Sequence, residues 1–314
     1  NLMQMNGSYI VTDPKGLLVH EVGSLLAKNG YKIKVFDLVH LANSNTFNIF
    51  NYMKSELDID RVTEAIVDGT KKTDNQGENF WLTAELLLTR ALIGYLYFDS
   101  QLDDYTPNLS MVADMMRNIR RTNEEQPSPV EQMFEELEER LPGNYAYKQW
   151  ALFNSNFEAE TRMGVTTQVA TRYSIFDHTD VAKMIAEDTM DIDRWNIEKT
   201  AVFIAIPETN KSFNFLASLL FATIFEELTH GADAILQGER PGLSATDLLH
   251  VQVIIDEFAN IGKIPNFNEV LASVRSREIS IKIIIQAINQ LKSLYNKDWE
   301  TIFNNCACHL FLGT

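Results

Sequence analysis

Positive charge, cysteine and long apolar runs are what this chain has little of. Its 314 residues carry 27 Lys and Arg against 43 Asp and Glu, a formal net charge of −16. That is the reverse of the basic footprint of a free-standing DNA-binding domain, so any handling of nucleic acid must be local. The two cysteines, Cys306 and Cys308, read as sharing one face of a strand. They cannot form a stabilising framework, which fits a reducing cytoplasm. A zinc site wants four convergent ligands, and no second cluster completes the Cys306-Ala307-Cys308-His309 run. The longest apolar run, FNFLASLLFATIF from Phe213 to Phe225, falls short of the ~20 residues that span a bilayer and reads as a buried helix. No signal-peptide pattern, internal repeat or low-complexity linker is visible. With 45% apolar residues, the chain reads as soluble and able to bury a sizeable core, as one large domain or two ordinary ones.

What is there begins with SYIVTDPKG, Ser8 to Gly16, a β-branched strand stopped by a Pro-Lys-Gly turn. Leu18, Val19, Val22, Leu25 and Leu26 then recur at helical spacing up to Asn29-Gly30, and YKIKVFDL (Tyr31 to Leu38) alternates as a second strand. Strand, helix, strand in that order predicts a βαβ unit and a parallel sheet. After about Met53 the texture turns helical. Helices are predicted over 57–69, 80–98, 110–122, 129–141, 145–160, 166–173 and 177–186, from apolar residues at helical spacing. The helix over 129–141 sets Val130, Met133, Phe134, Leu137 and Leu141 on one face and Glu131, Glu135, Glu136, Glu138 and Glu139 on the other, which reads as a solvated acidic face. Strand texture returns with TAVFIAIP at Thr200 to Pro207, followed by a helix over 213–229. Next come a strand opening VQVIIDEFANIG (Val251 to Gly262), a helix over 270–277, the strand SIKIIIQ (Ser280 to Gln286) and a final strand HLFLG. The reading is an α/β domain in two sequence pieces, 1–56 and 197–314, around an inserted all-α domain, 57–196.

The chemistry concentrates where strands end. VQVII followed by Asp256 and Glu257 is a doubly buried strand with paired carboxylates at its carboxyl end, where open α/β sheets keep their sites. This is the Walker B pattern of nucleotide-hydrolysing motors, in which the first acid helps hold Mg²⁺ and the second polarises the attacking water. Gln286 ends the strand IIIQ in the equivalent place, where an amide can orient water or touch a γ-phosphate. Arg275 and Arg277 close a helix; they either complement its dipole or, in a ring of subunits, reach a neighbour's γ-phosphate. Asp13 and Lys15 place an acid and a cation at the end of a third strand, which alone would be an ordinary turn. The required companion, a G-x-x-x-x-G-K-[ST] phosphate loop, occurs nowhere in these residues.

Taken together, VTDPKG, GYKIKVFDL, FWLTAELLL, VFIAIP, IIDEFANIGKIPNF, ASVRSREISIKIIIQ, NQLKSLY and NNCACHLFLGT resemble, in that order, the VirD4/TraG-type coupling proteins of conjugative type IV secretion systems. The helical stretch from about 107 to 152 matches only in character. The resemblance implies a RecA-like, mostly parallel sheet with an inserted all-α domain. It implies Asp256 as the magnesium-side acid, Glu257 as the catalytic acid, Gln286 as phosphate sensor and Arg275 as the trans-acting arginine, with Arg277 the fallback. Asp13 and Lys15 fall at a nucleotide-binding turn, yet Leu17 stands where the family usually has Glu. The family's Y-N-P-F element is here Phe47-Asn48-Ile49-Phe50.

In that family the phosphate loop and its helix directly precede the strand YIVTDPKG, and membrane-spanning helices lie further upstream. NLMQMNG then reads as the end of that helix, with the sheet continuing beyond Gly313. The expectation is a fragment, inactive and monomeric by itself, of a homo-hexameric ATPase that uses ATP and Mg²⁺ at the cytoplasmic face of the bacterial inner membrane. Its expected partners are the relaxase and accessory relaxosome proteins, DNA and the secretion channel components. Two further readings stand beside this one: a catalytically dead adaptor that serves as a recruitment platform, and a cytosolic RecA-like helicase.

Overall fold

The structure, a computed structural model, describes residues 2–70, 79–123, 125–207 and 213–313, and the statements below refer to these. It opens with strand β1 (Ser8–Thr12), helix α1 (Leu18–Lys28) and strand β2 (Lys32–Asp37). Helices α2 (Leu57–Thr70), α3 (Asn79–Asp103), α4 (Leu109–Arg117), α5 (Pro129–Arg140), α6 (Tyr145–Asn156), α7 (Ala159–Tyr173) and α8 (Thr179–Ala186) follow. Then come β3 (Thr200–Ala205), α9 (Asn214–Leu236), β4 (Val251–Ile255), α10 (Phe267–Ser273), β5 (Ile279–Ile283), α11 (Ile288–Tyr295) and α12 (Trp299–Asn305).

All the strands pair in parallel, in the order β2-β3-β1-β4-β5. The central β1 and β3 are buried along their whole length, which is why SYIVT and TAVFIA are near-continuous apolar runs rather than alternations. From β1 the chain moves towards the β2 edge; from β3 it crosses to β4 and on to β5. Such a reversal leaves a crevice at the carboxyl ends of the strands near the centre of the sheet. Helix α9 carries an apolar stripe through the core, with Leu216, Leu220, Phe221, Ile224 and Leu228 fully or almost fully buried. Its stripe continues through Ala232 and Ile235, so the helix runs to Leu236 rather than stopping at 229.

Two expectations at the carboxyl end are corrected. HLFLG is not a strand, and Cys306 and Cys308 do not share a strand face: after Asn305 the chain is irregular. Leu310, Phe311 and Leu312 are 80%, 92% and 85% exposed. An apolar, β-prone run becomes a strand only when a neighbour accepts its hydrogen bonds, and β5 takes β4 as its partner without a further one. The Cys306 thiol, pushed up by burial, lies 3.4 Å from the carbonyl of Ile302.

Two compact units emerge, one of residues 1–45 and 190–314 and one of 46–189. The fold class is therefore α/β with a parallel sheet and an inserted all-α region, and the described residues of 46–189 contain no strand. The unit boundaries fall at 45/46 and 189/190, where the sequence reading set 56/57 and 196/197. The reason is the short apolar run after Asn45. Phe47, Ile49, Phe50 and Tyr52 are buried, the buried Asn48 donates to the carbonyls of Pro107 (2.8 Å) and Ala186 (3.1 Å), and the Tyr52 hydroxyl donates to Asp188 (2.6 Å). These residues belong to the helical core.

That core is aromatic, with Phe134 stacked on Trp150 at 4.6 Å and edge-on to Tyr95 at 5.4 Å. Its helices start where the sequence supplies caps. Asn108 and Asn144 accept from Ser110 and Tyr147, and Ser128 and Glu131 form a reciprocal capping box with Pro129 in the first turn. Helix α4 stops at Arg117, short of the predicted 122, and the predicted helix over 145–160 breaks before Ala159, where α7 begins and runs through to Tyr173. No helix among the described residues is long and apolar enough to cross a membrane.

Candidate active site at the carboxyl edge of the sheet

Strand β4 delivers the two predicted acids to the crevice. Asp256 is exposed and Glu257 half-buried. The main chain beneath them is held from the neighbouring strand by the Thr12 hydroxyl, which donates to the Asp256 carbonyl at 2.8 Å. One Asp256 carboxylate oxygen accepts from the Glu257 amide at 2.9 Å. Glu257 itself is left-handed, with φ 51 and ψ 45. A non-glycine residue is seldom held there, and such outliers cluster where the chain must aim a functional side chain.

Beyond β5 the backbone ladder continues irregularly: Ile284 donates to the Ile255 carbonyl at 2.9 Å and Phe258 to the Ile284 carbonyl at 3.1 Å. Strand β5 ends at Ile283, so Gln286 stands in the loop leading to α11 rather than on the strand itself. Its position is nonetheless fixed, because its main-chain N–H donates to Gln290 Oε1 at 3.0 Å, in the first turn of α11. From there Gln286 Nε2 donates to Glu257 Oε1 at 2.7 Å. A carboxylate only accepts, so the contact also settles which way the amide points.

Asp13 is brought to the same edge but is already engaged. It is almost fully buried, its main-chain amide donates to the Ile204 carbonyl at 2.8 Å, and its carboxylate accepts from Leu18 at the start of α1 at 2.7 Å. An acid there complements the helix N-terminus. Lys15 is exposed in the turn between β1 and α1.

The arginines lie at the other end of the sheet. Arg275 and Arg277 occupy a 3₁₀ turn, Val274–Arg277, that immediately precedes β5, whereas Glu257 and Gln286 follow the carboxyl ends of β4 and β5. At ~3.3 Å per residue, β5 alone separates the two by roughly 13 Å. The structure thus joins Asp256, Glu257 and Gln286 and leaves Arg275 apart from them. Arg277 forks onto Asp233 of α9, with Nε and Nη2 each on a carboxylate oxygen at 2.8 and 2.7 Å. Arg275 is exposed.

Sequence reasoning passes over Thr12, Gln290 and Asp233. Only Asp233 leaves a trace: an acid in the last turn of a helix opposes the helix dipole and calls for a cationic partner. For a magnesium nucleotide, the fit is partial. Asp256 offers an exposed carboxylate, but the described residues contain no group of three or more His, Cys, Asp or Glu that could hold a metal ion. A bound Mg²⁺ would take most of its oxygen ligands from phosphate and water, as this ion commonly does.

Comparison with known proteins bears on the family and the fold. No curated protein matches the chain. A structure titled "Bacterial conjugative coupling protein TrwBdeltaN70", the trigonal form in complex with sulphate, superposes with a TM-score of 0.57 at 15% identity, covering 95% of this chain and 68% of that one. Plasmid coupling protein TrwB in complex with ADP and Mg²⁺ gives 0.57 at 15% identity over 96% and 69%. TrwB with a non-hydrolysable ATP analogue gives 0.55 at 14% over 95% and 68%. These likenesses establish the RecA-like fold with its all-α insertion. The profile of the family described as "Type IV secretory system Conjugative DNA transfer" matches residues 1–314. The chain therefore belongs to the conjugative DNA transfer family of type IV secretory systems.

Proposed function

We propose that these residues form the Walker B half of a coupling ATPase, which receives relaxase-bound DNA and drives it towards the secretion channel. The observation that carries this reading is the Gln286–Glu257 hydrogen bond at 2.7 Å beside Asp256, an acid, acid and amide constellation at the carboxyl edge of a parallel sheet. The nucleotide-bound structures of TrwB support it by analogy of fold.

Mg-ATP, when bound, supplies the phosphoryl group and a cation that offsets its charge. Asp256 would hold the metal side of that complex through its exposed carboxylate. Glu257 would accept a hydrogen bond from the attacking water and orient it, and Gln286 would offer the second hydrogen of its amide to the γ-phosphate. Arg275 would act on the nucleotide of an adjacent copy in a homo-hexamer, since its own site lies beyond β5. These residues contain no G-x-x-x-x-G-K-[ST] string, and on this reading the cradle for the phosphates would be supplied by another segment. Asp13 and Lys15 would border the site, with Asp13 acting through α1. The helical unit would recruit the relaxase and its accessory proteins, with the whole assembly at the cytoplasmic face of the membrane.

The test is ATP turnover by the protein with a phosphate loop present, measured with and without DNA. Glu257→Gln should abolish turnover while ATP affinity stays within about twofold, because it removes the water-orienting charge and spares the phosphate contacts. If an intact loop bound ATP without turnover in the unsubstituted protein, the adaptor reading would replace this one. A loss of less than about tenfold in Glu257→Gln, near 1.4 kcal/mol of barrier, would remove Glu257 from the chemistry.

A further inference from the structure

The geometry points to Asp233 as a positioning residue for Arg275: its ion pair with Arg277 fixes the 3₁₀ turn that presents Arg275 to a neighbouring copy. The inference rests on the proposed trans role of Arg275 and adds to it a residue on a different element, near the far end of α9.

The turn Val274–Arg277 is short, and its periodicity decides what faces where. In a 3₁₀ helix residues i and i+3 eclipse, so Val274 and Arg277 point the same way. Val274 is buried, and Arg277 turns to the protein to meet Asp233 with a two-pronged contact at 2.8 and 2.7 Å. Arg277 Nη1 also donates back to the Ser273 carbonyl at 2.7 Å, tying the last residue of α10 to the end of the turn. Glu278 then takes a left-handed backbone with φ 57 before β5 begins. With both inward positions spoken for, Arg275 and Ser276 are forced outward, and both are exposed.

The side chains of Arg277 and Asp233 are 22% and 32% exposed, and their forked geometry is the kind in which an ion pair can add some stability as well as order. Asp233 nonetheless places a negative charge where the α9 dipole disfavours one. What the contact also supplies is direction, because a forked guanidinium–carboxylate pair fixes orientation as well as distance. An arginine acting across a subunit boundary depends on that direction. Misplacing such a group by about 1 Å can cost on the order of 100-fold in rate.

The experiment measures kcat and ATP affinity in assembled rings of the protein with its phosphate loop, for Asp233→Asn, Arg275→Ala and the double variant. Asp233→Asn should lower kcat by roughly tenfold to 100-fold with affinity unchanged, and should add nothing further once Arg275→Ala is present. Arg277→Lys, which keeps the charge but loses the fork, should fall between wild type and Asp233→Asn. The exchanged pair Asp233→Arg with Arg277→Asp should regain part of the loss. Multiplying effects of Asp233→Asn and Arg275→Ala would overturn the inference, as would unchanged kcat in both Asp233→Asn and Arg277→Lys. Glu257→Gln serves as the independent reference. If that variant still turns over, the site reading itself fails; if it is dead while Arg275→Ala is fully active, hydrolysis at the site stands and the positioning role does not.

Discussion

Gln286 holds Glu257 by a single 2.7 Å hydrogen bond between the loops that leave adjacent parallel strands. The carboxylate is thereby tied to the residue best placed to sense what arrives beside it. The Nε2 atom carries two hydrogens, so the amide that donates one to Glu257 has a second to offer a phosphate oxygen. Occupancy of the site and placement of Glu257 are linked through one side chain.

Gln286→Ala should therefore lower kcat by about tenfold to 100-fold with ATP affinity nearly unchanged, because one transition-state hydrogen bond is lost and the metal-side contact is spared. Single-turnover and steady-state hydrolysis of the loop-containing protein measure this. A higher Kd for ATP with unchanged kcat would instead make Gln286 a ground-state binding group.

Arg275→Ala and Glu257→Gln subunits, each strongly impaired alone, should recover turnover when mixed. Some interfaces in a mixed ring pair an intact acid with an intact arginine, and an arginine of this kind is worth roughly 10³-fold or more. Subunit exchange verified by native mass spectrometry, followed by phosphate release, reads the outcome. Verified mixed rings without any recovery would return Arg275 to a purely structural place on its turn.

The helical unit, residues 46–189, should bind no DNA detectably at physiological salt. Glu135, Glu136 and Glu139 of α5 are exposed, and phosphates brought near such a face meet repulsion instead of releasing counterions. A basic or amphipathic segment of a relaxase should bind weakly and lose affinity as salt rises. Fluorescence anisotropy of labelled oligonucleotide and labelled relaxase at two ionic strengths decides between them. Micromolar DNA binding without relaxase binding would make the unit a nucleic-acid contact.

The same unit should lose stability in acid. Burial raises the Glu131 carboxyl, but the Arg121 guanidinium and the Ser128 amide outweigh it and hold it below the usual range. At Asp58 burial likewise raises the carboxyl, while the Lys54 and Ser55 amides and Arg61 bring it below the ordinary value. A folded-state pKa below the unfolded one gives stability that is full above the unfolded value, about 4, and is lost as pH falls through the folded value. Urea midpoints followed by circular dichroism should fall steadily below about pH 5. Asp58→Asn with Glu131→Gln should flatten that fall. An unaltered profile would place the acid sensitivity in other carboxylates.

How far the sequence carried these conclusions depended on the range of the interactions involved. Strands β1, β3 and β4 were legible because a doubly buried parallel strand is apolar throughout, and the acids at the end of β4 were legible because they break that run abruptly. Helix α5 was legible from the spacing of Val130, Met133, Phe134 and Leu137 on one face, again a local signal. The Phe47 to Tyr52 run was apolar enough to see, but which core would bury it depended on Asn48 reaching Pro107 and Ala186, far along the chain. HLFLG had the composition of a strand without a partner to pair with. The meeting of Gln286 with Glu257 followed from the register of β4 and β5, and the engagement of Asp13 from the position of the α1 N-terminus. Neither is written in residue types alone.

The left-handed backbone of Glu257 sets function and endurance against each other. Glycine and asparagine adopt such a conformation at less cost than glutamate, so replacing Glu257 with either should relax the main chain while deleting the carboxylate. A library screened only for survival on heating would then enrich substitutions at this position, and its most robust members would be the ones least able to orient water. Any effort to harden this protein for structural or practical use should hold residue 257 fixed and seek its gains elsewhere.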